Sequence, residues 1–100
     1  MGEVIAKLEY ILSDEDGFFV KIRNLDGVDE KKLTEILSVL KETKEYYSDK
    51  AFVPKRLAFL LMDMEPILWG MLESYSNPVQ DQILLAIDKI STAIRDCLSD

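Results

Sequence analysis

One hundred residues with a formal net charge of -7, no histidine and one cysteine make a single domain over residues 1–100, large enough for a core and too small for two. Apolar residues at 48% beside charged residues at 31% are the proportions of a globular chain, not a disordered one. Without histidine there is no imidazole base and no cluster of transition-metal ligands, so neither nucleophilic catalysis nor a metal centre is expected.

In chain order, Glu3 to Leu12 sets Val4, Leu8, Ile11 and Leu12 on one helical stripe, with Ile5 at its edge. Read as a strand, the same segment puts Val4, Ala6, Leu8, Tyr10 and Leu12 on one face, and a hairpin with residues 18–25 stays open as an alternative. Helix is favoured because Ser13 and Asp16 have capping-box spacing and Phe18, Ile22 and Leu25 follow at helical intervals. Gly17 inside that short helical turn costs roughly 1 kcal/mol relative to alanine.

Asn24-Leu25-Asp26-Gly27 is a turn signal, since Asn, Asp and Gly tolerate the required backbone geometry. Asp29 can cap the next helix, with Glu30 in its first turn. Leu33, Ile36, Leu37, Leu40 and Tyr47 then share one side, opposite Lys31, Glu35, Ser38, Glu42 and Glu45. Residues 48–54 connect to a helix started by Pro54. There Leu57, Leu60, Leu61, Met64, Leu68, Met71, Leu72 and Tyr75 share a side, while Phe59, Met62 and Trp69 point away from it. Pro66 is expected to kink or break that helix.

Asn77-Pro78 opens the last helix, whose stripe is Val79, Ile83, Ala86, Ile87, Ile90, Ala93, Ile94 and Leu98, with Leu85 almost opposite. The fold expected is all-α, a compact antiparallel bundle of about four helices plus a short helical turn. The alternative is an N-terminal β-hairpin packed on three helices.

Residues 1–7 lack a basic stretch followed by an apolar run, so no signal peptide is expected. Asp63 and Glu65 interrupt the longest apolar run before it reaches the ~18 residues of a membrane span, and a cytoplasmic location without membrane attachment is expected. Cys97 reads as a small buried hydrophobe. The two Asp/Gly loops fail as calcium loops. With Gly17 at the sixth position Leu12 stands first and Arg23 last, and with Gly27 there Ile22 stands first and Leu33 last. Asp63 and Glu65 diverge on a helix, so a paired-carboxylate mechanism has no support. The chain is expected to be a non-enzyme without cofactors.

What remains is surface. Residues 1–30 carry eight acids and three bases, residues 31–60 four acids and seven bases, and residues 61–100 seven acids and two bases. The acidic surface repels nucleic acid, unless residues 31–60 present their bases as one patch, and attracts a basic protein. Asp14, Glu15 and Asp16, continued by Asp26, Asp29 and Glu30, form one candidate docking patch, if the short helical turn gathers their loops. Their plain alternative is solvated loops with helix-capping acids.

Glu45, Tyr46, Tyr47 and Asp49 form a second candidate, pairing tyrosines with acids at a helix end. Here the plain reading is that Tyr47 closes the core and Tyr46 covers its rim. Phe59, Met62 and Trp69 are expected to be covered by a neighbouring helix; left uncovered, they become the alternative interface, a dimer seam or partner groove.

The whole-chain format, with Tyr46-Tyr47-Ser48-Asp49 followed by Val53-Pro54-Lys55-Arg56-Leu57-Ala58, resembles the small acidic bacterial immunity proteins that neutralise toxins delivered between competing cells, including those of contact-dependent inhibition systems. The resemblance implies a cognate protein toxin as partner, often a basic nuclease, whose active site or substrate groove is blocked. A monomer is favoured, with a homodimer or a helical adaptor or regulatory subunit as the alternative.

Overall fold

Tyr10 decides how the first segment folds. A strand would bury it with Leu8, yet Tyr10 is 65% exposed and Leu8 is fully buried. Only the helical period separates the two in this way. The computed structural model describes residues 2–98, and among them there is no strand. Five helices follow in order: α1 (Gly2–Ser13), α2 (Phe18–Arg23), α3 (Glu30–Tyr47), α4 (Lys55–Met71) and α5 (Asn77–Leu98), with one 3-10 turn, Leu72–Ser74, between the last two. The hairpin alternative is thereby corrected.

The helix limits follow from local chemistry in some places and not in others. Asp29 caps α3, its carboxylate accepting the Lys32 amide at 3.1 Å. The capping box at Ser13 does not form. Its hydroxyl donates back to the Glu9 carbonyl at 2.9 Å, inside the end of α1. Gly17 occupies the N-cap position of α2 without a side-chain cap. A Cβ on Gly17 would stand 3.0 Å from both the Asp14 carbonyl oxygen and the Asp14 Cβ, so the close approach of this turn to itself requires glycine.

Pro66 does not break α4, which runs from Lys55 to Met71 as one helix. The missing amide leaves the Met62 carbonyl, four residues back, without its helical donor. Met62 is 70% exposed, a position where water can satisfy that oxygen.

Burial follows the expected stripes. Leu33, Ile36, Leu40 and Tyr47 from α3 meet Ile83, Ala86, Ile87 and Ile90 from α5, and Leu57, Leu60, Leu61, Met64 and Leu68 from α4 complete the centre. α2 inserts Phe18, Phe19 and Ile22 whole, the two rings edge-to-face at 5.2 Å. A six-residue helix is unstable alone. Burying such side chains, at about 1.5–3 kcal/mol each, is what holds it. The bundle measures 42 × 25 × 21 Å. No helix among the described residues is long and apolar enough to cross a membrane.

Candidate functional site

The short α2 is flanked by both acidic loops, and one lysine ties them together. Lys21 pairs with Asp29 at 2.9 Å. The Asp29 pair raises its pKa, with smaller contributions from Asp16 in the preceding loop and Asp26 in the following one. Asp29 is in turn held below the usual carboxylate range, first by Lys21 and then by the Lys32 amide. From the other loop, Asp14 accepts the Asp16 amide at 3.1 Å and lies 3.9 Å from Lys32.

Two of the six candidate acids therefore serve the fold: Asp14 shapes its turn and Asp29 caps α3. Glu15, Asp16, Asp26 and Glu30 are exposed and form no ion pair among the described residues. They are the acids of this end that remain available to a partner.

The second loop is also pinned from the far side of the sequence. The Tyr75 hydroxyl donates to the Ile22 carbonyl at 2.8 Å and accepts the Gly27 amide at 3.2 Å. Between those two anchors the backbone turns left-handed, at Gly27 with φ 85° and at Leu25 with φ 64°. For glycine this is free of strain; for a leucine it costs roughly 1–2 kcal/mol. Leu25 has the helical spacing of Phe18 and Ile22, which are buried, but it is 58% exposed. The loop thus holds up an apolar side chain beside Asp26. Sequence reasoning missed this residue; the only signal was its place inside a turn motif.

The second candidate group lies elsewhere. Glu45 and Tyr46 stand at the end of α3 opposite to Asp29, about 25 Å away along the helix. Tyr47 is only 6% exposed, its hydroxyl buried without a partner and its pKa raised by burial. It is a core residue and is corrected as a contact. Tyr46 remains on the surface with the Lys50 ammonium 4.7 Å above its ring, and Lys50 also reaches Asp49 at 3.3 Å. This junction is a separate, partly neutralised surface.

Phe59, Met62 and Trp69 are 57%, 70% and 52% exposed. The expectation that a neighbouring helix covers them is corrected: α5 lies to one side, leaving a shallow groove of about 340 Å³ lined by Met62, Glu65, Pro66, Trp69 and Ile94. A concavity of about 800 Å³ opens between α1 and α3 and includes Tyr10, Ile11, Val39, Lys7, Glu35 and Glu42. Its lysine is held by Glu42 at 3.1 Å and Glu3 at 3.4 Å, an arrangement that closes the two helices together.

Cys97 is buried and donates to the Leu40 carbonyl at 3.2 Å, and burial pushes its thiol up to about 11. No group of three or more His, Cys, Asp or Glu among the described residues could hold a metal ion. Comparison with family models, curated proteins and solved structures finds no match for the chain.

Proposed function

We propose that this protein is an immunity-type inhibitor that works in the cytoplasm by docking its acidic loops onto a basic, nuclease-type protein toxin. One observation carries the reading: the two loops that flank one short helix leave Glu15, Asp16, Asp26 and Glu30 exposed and without ion pairs among the described residues, and the second loop also exposes Leu25 beside Asp26. Carboxylates in a fixed array mimic the phosphates that a nuclease groove receives, and they steer a basic partner at long range. The apolar tip supplies the desolvated contact that charge alone does not.

The test is titration against the basic product of the neighbouring gene, followed by calorimetry and stopped-flow fluorescence. A 1:1 complex is expected whose association slows steeply with salt. Reversal of Glu15, Asp16 and Asp26 to lysine should slow association while leaving the melting temperature nearly unchanged. Absence of binding at low salt, or equal loss on reversing Glu45 and Asp49 only, refutes the reading.

A further inference from the structure

Among the exposed residues of α4 and the turn after it, Lys55, Phe59, Met62, Pro66, Trp69 and Glu73 run in one line along the solvent side, with Arg56, Asp63 and Gly70 exposed beside them. Their separations alternate between four and three, which is the spacing of a coiled-coil seam. The buried stripe of α4 runs along its other side through Leu57, Leu61, Met64 and Leu68, so the helix carries two seams and the bundle uses one.

The chemistry of this second seam is palindromic about position 64. Turned end for end, it sets Phe59 against Trp69, Met62 against Pro66 and Lys55 against Glu73. A two-fold interface demands this kind of self-complementarity, whereas an unrelated partner does not. Lys55 and Glu73 form no ion pair among the described residues, so both charges are available across such an interface. We infer that a second copy of this chain docks on the first through antiparallel pairing of α4, burying Phe59, Met62 and Trp69 at the seam.

The same register makes a second statement about charge. Asp63 and Glu65 flank the seam on opposite sides near the two-fold axis, where each comes close to its own symmetry mate. On the Glu65 side Arg95 of α5 lines the adjoining groove and offsets the acids. Asp63 forms no ion pair among the described residues, so beside its own symmetry mate it opposes association. The pairing uses a different helix from the acidic loops and stands whether or not those loops bind a basic protein.

Analytical ultracentrifugation and light scattering between micromolar and millimolar concentration test the proposal, with Trp69, the one tryptophan, as a fluorescence reporter of seam burial. A reversible dimer is expected, with Trp69 emission shifting to shorter wavelength as it forms. Phe59→Ser should abolish the dimer at unchanged helical circular dichroism, since the residue is exposed in the monomer. Lys55→Glu should weaken association about tenfold, because a two-fold dimer loses both copies of the pair. Adding Glu73→Lys should restore it. Asp63→Asn should tighten the dimer about twofold. A monomer throughout the concentration range overturns the proposal, and so does a dimer that the Lys55/Glu73 exchange fails to rescue.

Discussion

The Tyr75 hydroxyl accepts the amide of Gly27, 48 residues earlier in the chain, at 3.2 Å. Since the same oxygen donates to the Ile22 carbonyl at 2.8 Å, the segment before α5 clamps both ends of the loop that carries Leu25 and Asp26. Tyr75→Phe removes both bonds without emptying the space of the ring. It should lower stability by about 1–2 kcal/mol and accelerate hydrogen exchange at the Gly27 amide. Unchanged exchange there would show that the clamp does not hold the loop.

Leu25 sits in a backbone conformation that glycine adopts freely, with φ at 64° and the side chain 58% exposed. Leu25→Gly should therefore stabilise the isolated protein, by about 0.5–1 kcal/mol after the added freedom of the unfolded chain is counted. The same change should weaken binding of the basic partner. Paired urea unfolding and calorimetry check both signs; a loss of stability with intact binding contradicts the account of this loop.

Asp29 carries the acid dependence of the loop. Its folded pKa lies below its ordinary value because of Lys21 and the Lys32 amide, so it contributes stability at and above its unfolded pKa. That contribution is lost as pH falls through the folded pKa, in the range below about 4. Carboxyl titration by NMR should place Asp29 below its ordinary value. Asp29→Asn, which keeps a capping oxygen but not the charge, should lower the melting temperature at neutral pH less than Asp29→Ala does. The gap between wild type and Asp29→Asn should narrow as the pH falls below 4.

Cys97 should be inert in the folded protein. Burial, with a smaller contribution from the Asp96 charge, pushes its pKa up to about 11, so little thiolate exists at pH 8, and the buried sulfur is shielded from reagents. Alkylation rates should follow the unfolding curve in denaturant. Rapid labelling of the native state would contradict the packing of α5 on α3.

The extent of the helices was legible in the residues because periodicity is a local property. Val4 and Leu8 against Tyr10, the Asp29 cap, and the α5 stripe through Ile90 each follow from side-chain direction along a single helix. The gathering of the acidic loops was legible only as a condition, since nothing in residues 14–30 states that Lys21 faces Asp29. Packing settled that, while the bonds of Asp14 to the Asp16 amide and of Asp29 to the Lys32 amide are local and span two and three residues.

Three features were only partly legible in the chain. Phe59, Met62 and Trp69 announced a second apolar face, but whether a neighbour covers such a face depends on where α5 lies. Leu25 had the spacing of a core residue, yet the left-handed turn that Tyr75 stabilises carries it outward. Pro66 was expected to kink or break α4, which nonetheless continues through it from Lys55 to Met71. Periodicity and capping are decided within one or two helical turns, so the sequence alone determined an acidic, all-α chain and the limits of most of its helices. Exposure, pairing and strain depend on contacts between residues tens of positions apart, and only the assembled bundle decided those.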